Sequence, residues 1–387
     1  MLEYLKCNNV ESCYGCNACE QICPKKAIKL IENSEGFNYP SLNNKLCVNC
    51  GLCEKVCPYT KELVDNEINN VYGLQNLNYV DLMKSSSGGA FIAMAKFVLS
   101  KGGFVAGCIL DDNFVVKHIL TNDLNLVEKM QGSKYVQSYI GNVYTNIKEL
   151  LDDGKFILFS GTPCQVAGLK FFLMKEYDNL LTIDLICHGV PSQFLLNEYI
   201  KNQNKELKDL KFRDKKANGW RSAGTISYKD CTKKISPNND SYYNLYYIEN
   251  VVSRMSCYSC KYATTNRVGD ITIGDFWNIN DEFSNIDTKN GFSEIKINSN
   301  KGMDFFNSIK NNFFIVDATL KIIVNGNGNL VKPCEKPDIR DEIYNEINKY
   351  GYKFVVKKYC HFSYIKPFLK KLFPKKIKKI IRRIINR

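Results

Sequence analysis

Two rhythms of apolar and polar residues run through the middle of the chain. Phe104–Leu110, Phe114–Leu120, Lys155–Ser160 and Leu180–Ile186 are short apolar runs rich in branched and aromatic side chains, the pattern of buried strands. Ala90–Leu99, Asn142–Leu151 and a stretch from Gly161 to about Lys175 read instead as helices, and another helix is expected after Ser192. Asp111–Asn113 is a turn between the first two strands. Strand alternating with helix predicts an α/β domain with a mostly parallel sheet. Residues 278–335 (GFSEIKIN, GMDFFNSI, FFIVDATL) are expected to complete the sheet and its cover. Residues 61–84 are polar and Asn-rich, a connector with one short strand at VYGLQN.

Composition narrows the class. The 387 residues are 44% hydrophobic and 24% charged, which is globular and not disordered composition. The net charge of +13 is localised, because ten Lys/Arg and no acid lie between Lys366 and Arg387. A nucleic-acid surface spread over the whole protein is therefore not implied, and no nucleic-acid partner is expected. From Pro374 the apolar residues Ile377, Ile380, Ile381, Ile384 and Ile385 share one helical face among lysines and arginines. That pattern is expected to rest on an anionic membrane surface. No secretory signal is visible and no apolar run reaches spanning length. The expected location is the cytoplasm, at the inner face of the cell membrane, where thiols stay reduced.

The 17 cysteines then change the picture, because nine of them precede residue 58. CYGCNACEQICP and CVNCGLCEKVCP both follow C-x2-C-x2-C-x3-C-P. Three close thiolates wrap one cluster and the fourth reaches the other, as in two-cluster ferredoxins. One 4Fe-4S cluster is assigned to Cys13, Cys16, Cys19 and Cys57. The second takes Cys47, Cys50, Cys53 and Cys23. Gly15 and Gly51 suit the turns, and Cys7 is surplus. The fold expected for residues 1–60 is an α+β dicluster ferredoxin module, which moves electrons but catalyses nothing alone.

Candidate chemistry in the body sits beside glycines and strand ends. Ser86, Ser87, Gly88 and Gly89 precede a helix, and free N–H groups at a helix N-terminus seat phosphates. Gly161, Thr162 and Cys164, and then Cys187 and His188, follow strands at their carboxyl ends, where parallel sheets bind ligands. Cys257 and Cys260 form a further C-x2-C pair needing two more ligands. Cys164 and Cys187 are the best candidates, for an iron–sulfur cluster or a structural zinc; a redox dithiol at Cys257 and Cys260 is the other reading.

The segments KSSSGGAF, GSKYVQS, LFSGTPCQVAGL, DLICHGVPS, FRDKKANGW, SCYSCKYATTNR and GDITIGDFW, in this order, resemble the coenzyme F420 hydrogenase/dehydrogenase beta-subunit family. Members encoded beside polysaccharide-synthesis enzymes look most similar. The resemblance implies a flavin, FAD in preference to FMN, and a third 4Fe-4S cluster on Cys164, Cys187, Cys257 and Cys260. It makes the Ser/Gly loop, Ser133, Lys134, Gly161 and Thr162 candidate flavin contacts. His188 is the candidate proton donor to an organic substrate. His118 and His361 are expected to be structural or at the surface. The domains expected are the module (1–60), the connector (61–84), a flavin domain (85–335, in parts 85–150 and 151–335) and a basic tail (336–387). The function expected is an iron–sulfur flavoprotein oxidoreductase drawing on a redox partner protein or soluble donor. Its rival is a non-catalytic subunit that relays electrons to a partner enzyme.

Overall fold

The computed structural model describes residues 2–63, 65–360 and 362. Its strands are β1 (Ile28–Glu32), β2 (Asn38–Leu42), β3 (Asn70–Asn76), β4 (Phe104–Leu110), β5 (Val116–Thr121), β6 (Ile157–Gly161), β7 (Leu180–Leu185), β8 (Leu207–Lys211), β9 (Gly224–Tyr228), β10 (Thr232–Ile235), β11 (Ile271–Asp275), β12 (Ser293–Ile297) and β13 (Phe313–Ala318). Eight of them form one sheet in the order β13-β3-β12-β11-β7-β6-β4-β5. Its centre is parallel, with β4 beside β6, β6 beside β7 and β7 beside β11. Both margins are antiparallel. On one side the turn after β4 is too short for a crossover and returns β5 as a hairpin. On the other, β3 comes from the expected connector and lies between β12 and β13.

The central strands separate two cores. Every residue of β6 is buried, as befits a strand covered on both faces. Leu158, Leu181 and Val105 point to the Ala90–Ser100 helix, which offers Ile92, Met94, Ala95 and Val98. Their neighbours Ile157, Phe159, Leu180 and Ala106 point the other way, to Tyr144 and Ile147 of the Val143–Asp152 helix and Val166 and Leu169 of the Pro163–Leu173 helix. Cys16, Ala18 and Val56 belong to this second core, so the N-terminal module docks on those helices.

A third core was less legible. β8, β9 and β10 make a separate antiparallel sheet whose strands carry many charged residues. They pack with Phe37 and Tyr39 of the module and with the helices Arg340–Tyr350 and Tyr352–Tyr359. Residues 340–359 are thus part of the body, where a basic tail was expected from residue 336. Ile343, Tyr344, Ile347, Tyr352 and Val355 are all buried. The cationic stretch from Pro374 to Arg387 lies outside the described residues. Among those described, no helix is long and apolar enough to cross a membrane.

One buried ion pair ties the module to these helices. The Arg340 guanidinium donates to both carboxylate oxygens of Glu35 at 2.9 and 2.8 Å, and its Nε donates to the Ser253 carbonyl at 2.8 Å. Arg340 is wholly buried. Arg340→Ala strands the carboxylate and the carbonyl, so stability should fall by about 3–5 kcal/mol in anaerobic urea unfolding. A loss under about 1 kcal/mol would show that the pair does not hold the docking.

Candidate functional site

The two cysteine loops share one backbone shape. Counting from the first cysteine of each, the second and fourth residues after it are left-handed: Gly15 (φ 67°) and Asn17 (φ 68°), then Asn49 (φ 53°) and Gly51 (φ 75°). Glycine and asparagine alternate in these roles because both tolerate that conformation. Such turns aim N–H groups inward, a concavity suited to anionic sulfur. The Gly15 N–H donates to Cys13 Sγ at 3.4 Å and the Ala27 N–H to Cys23 Sγ at 3.2 Å. Gly15 is also pinned from behind, since a Cβ there would lie 2.9 Å from Arg254 Nη1 and Gln137 Nε2.

Cys13, Cys16, Cys19 and Cys57 line one small cavity together. Burial pushes the Cys19 thiol well up, and Cys16, Cys13, Cys57 and then Cys53 add to it. Cys53, in turn, is raised by burial and by Cys50. Cys50 itself is exposed, while Cys23, Cys47 and Cys53 are partly so. The first set therefore faces the body and the second reaches the surface.

A larger cavity of about 360 Å³ opens at the carboxyl ends of β6, β7 and β11. Cys164, Cys187, Cys257 and Cys260 all line it. Burial pushes Cys164 up to about 11 and Cys187 up to about 12, with the neighbouring cysteines adding to each. Four partly buried thiols that disfavour one another's ionisation fit a site that a cation neutralises. Among the described residues, no three His, Cys, Asp or Glu side chains converge tightly enough for a single metal ion. A four-iron cube spreads its ligands farther apart than one ion does.

The Ser/Gly loop lines the same cavity. Ser86, Ser87, Gly89, Ser133, Lys134, Gly161, Thr162 and His188 all line the cavity. Ser86 Oγ accepts the Ser133 N–H at 2.8 Å, which joins the loop to GSKYVQS. Gly88 is turned away: its N–H donates to Ser293 Oγ at 2.9 Å, and a Cβ would lie 2.0 Å from the Leu74 carbonyl. It is needed for close packing and not for a ligand. The Lys134 ammonium is also committed, donating to the carbonyls of Lys129, Met130 and Gln131 at 2.9 Å each. It caps the Leu124–Met130 helix, and burial pulls its pKa down to about 8.

FRDK and GDFW, which sequence left without roles, buttress this wall. Lys215 Nζ donates to the carbonyls of Leu82, Ser87 and Asn290 at 2.6, 2.6 and 2.7 Å. Burial and the Arg213 charge pull its pKa down to about 7. Arg213 bridges to Asp275 at 2.9 Å and to the Ser86 carbonyl at 3.1 Å. Asp275 also accepts from Trp220 Nε1 at 2.8 Å, and Trp220 stacks on Trp277.

His188 is lowered by burial, with Asp275 opposing. Sequence reading set His118 aside, yet it lines the same cavity. Its Nε2 lies 3.0 Å from the Ser160 carbonyl and its Nδ1 2.8 Å from Ser138 Oγ. It has no sequence signal of its own, because its strand, VKHILT, carries a lysine and a threonine as well. Arg254 was also missed, although it precedes Cys257 by three residues; Tyr246 and Tyr247 sit on a short π-helix and line the cavity too.

Comparisons with known proteins follow the same division. Residues 12–61 match the 4Fe-4S dicluster domain. Residues 154–319 match the C terminus of the coenzyme F420 hydrogenase/dehydrogenase beta subunit. No curated protein matches the chain. A solved structure of the xenon-derivatised F420-reducing NiFe hydrogenase complex from Methanosarcina barkeri is similar with a TM-score of 0.44 and 14% identity, over 76% of this chain and 93% of that one.

Burial lowers the His118 pKa to about 4 from the ordinary 6.5. The folded state then refuses a proton that the unfolded chain accepts. Stability is unaffected above pH 6.5 and is lost as pH falls toward 4, by roughly 3 kcal/mol in full. Anaerobic denaturant unfolding from pH 7 to 4 should show the native protein losing that much more than His118→Gln. Parallel curves would mean that His118 takes up its proton without unfolding.

Proposed function

We propose that this chain, a member of the coenzyme F420 hydrogenase/dehydrogenase beta-subunit family with a 4Fe-4S dicluster domain in front, is an iron–sulfur flavoprotein oxidoreductase. Its substrate is a small organic molecule reduced or oxidised in the larger cavity. One observation carries the reading: the four cysteines of the body line the same cavity as the Ser/Gly loop and the strand ends. At about 360 Å³ that space falls within the range of ligand pockets, where a simple relay needs none.

When bound, the clusters carry electrons singly and a flavin stores one until a second arrives, which two-electron organic chemistry requires. Cys164, Cys187, Cys257 and Cys260 would hold the third cluster. Ser86, Ser87, Gly89, Ser133, Gly161 and Thr162 would seat the flavin, with loop geometry fixed by Lys215 and Arg213 from outside. Lys134 contributes by closing a helix end beside the seat. His188, facing the cavity with Asp275 nearby, is placed to hand over the proton that accompanies electron delivery. Buried His118 stays neutral and bridges Ser138 to Ser160, keeping the β6 end in place. The exposed Cys50 side supports delivery of electrons by a redox partner. The amphipathic sequence after Pro374 supports attachment to an anionic membrane surface.

Protein purified without oxygen should contain about twelve irons, matching sulfide and about one flavin per chain. Cys257→Ser with Cys260→Ser should lower the iron to about eight. Zinc in the native protein at these cysteines, or no flavin at all, would overturn the reading. Turnover of a small molecule by the chain alone separates the enzyme from a relay subunit that acts only with its partner.

A further inference from the structure

We propose that electrons pass between the N-terminal module and the body where Cys16 meets Gly168, and that Gly168 is the positioning residue for this crossing. The inference rests on the reading above and adds the route to it.

The Pro163–Leu173 helix touches both sulfur sets. Cys164 is its second residue and belongs to the body set. Gly168 follows four residues later, on the same face and about 6 Å along the axis. A Cβ on Gly168 would lie 2.9 Å from Cys16 Cβ and 3.1 Å from Cys16 Sγ. Glycine is unfavourable inside a helix. Here it makes room for a cysteine of the module. A side chain at residue 168 would displace a cysteine of the other set.

The surroundings agree. The Ala18–Ile22 helix, which begins two residues after Cys16, packs on the Pro163–Leu173 helix that carries Cys164. Tyr14, next to Cys13, lines both cavities. Its ring meets Tyr59 at 5.7 Å and Tyr262 at 5.5 Å, and both partners follow cysteines closely in the chain. Tyr14, Ala167 and Tyr262 form a buried cluster that fills the gap beside the contact. On the far side the Leu52–Lys55 helix, which carries Cys53, packs against the Ala18–Ile22 helix, which carries Cys19, and so links the surface set to the same module set. The order is therefore Cys50 and Cys53, then Cys19 and Cys16, then Cys164 and Cys187. In each crossing the side of Cys13, Cys16, Cys19 and Cys57 loses one electron and the side of Cys164, Cys187, Cys257 and Cys260 gains it. No bond forms or breaks.

The test compares Gly168→Ala with Gly328→Ala, whose added methyl meets nothing within 4 Å. In both, the fully reduced protein is examined by electron paramagnetic resonance, and iron is counted. Reduction of the body set is also followed after mixing with a protein-sized donor that reaches only the surface. The native protein and Gly328→Ala should show magnetic splitting between the module and body signals. Gly168→Ala should keep about twelve irons, lose much of that splitting and slow body reduction several-fold. If Gly168→Ala does not fold, the native spectrum decides: a body signal free of any splitting by the module overturns the crossing. Unchanged splitting and rate in a folded Gly168→Ala with about twelve irons overturns the crossing alone. About eight irons in the native protein overturns the underlying reading and the crossing with it.

Discussion

The molecule depends on one buried guanidinium. Arg254 is almost wholly inaccessible, and its hydrogen-bond acceptors are neutral: the carbonyls of Cys13 at 2.8 Å and Asn38 at 3.0 Å, and Gln137 Oε1 at 3.1 Å. It lies 4.0 Å from the centre of the Tyr39 ring. A buried cation without an anionic partner is expensive. Arg254 lines the larger cavity and borders the Cys13 loop, so sulfur ligands on either side offset its charge when they are anionic. The same side chain fixes Gly15, and through Gln137 it also holds the Tyr14 carbonyl. Removing it would unseat the module and leave the sulfur sets without their shared counter-charge.

What sequence revealed follows from how each feature is encoded. The strands β4 and β6 are nearly continuous apolar runs and β7 is largely apolar, and such runs mark strands buried on both faces. The cysteine spacing is chemistry written locally, so the module was legible residue by residue. β8 and β10 were not, because LKDLK and TKKI are mostly charged and the sheet is stabilised by what packs on it. The helices after residue 339 were hidden for a related reason. Their burial depends on Phe37 and Tyr39, some three hundred residues earlier, and on an arginine taken inside by Glu35.

The cavity was legible as a neighbourhood and less so as a set of contacts. Serines and glycines at strand and helix ends do line it. Gly88 and Lys134 show the limit of such inference, since a motif states which residues are present but not which way their donors point. Lys134 turns its ammonium on three carbonyls at the end of the preceding helix, and Gly88 gives its N–H to Ser293. Both support the wall from behind. His118, expected to be structural or at the surface, is buried and hydrogen-bonded beside the cavity. A lone histidine outside any motif gave no signal, and only the three-dimensional closure of β5 on β4 brings it to the cavity.

These contacts together decide how the module works. Electron carriers can deliver by swinging or by standing still. A swinging module needs a small polar interface and a free linker. Here the module is gripped on separate sides: Cys16, Ala18 and Val56 enter the core of the Pro163–Leu173 helix, Phe37 and Tyr39 enter the core of the C-terminal helices, and Arg254 reaches between. The segment after it is committed as well, because β3 is an internal strand of the main sheet. Moving the module would expose two apolar cores and strand two buried arginines. The geometry is that of a fixed conductor, in which distance is set by packing and the side chains between the sulfur sets govern how fast charge moves.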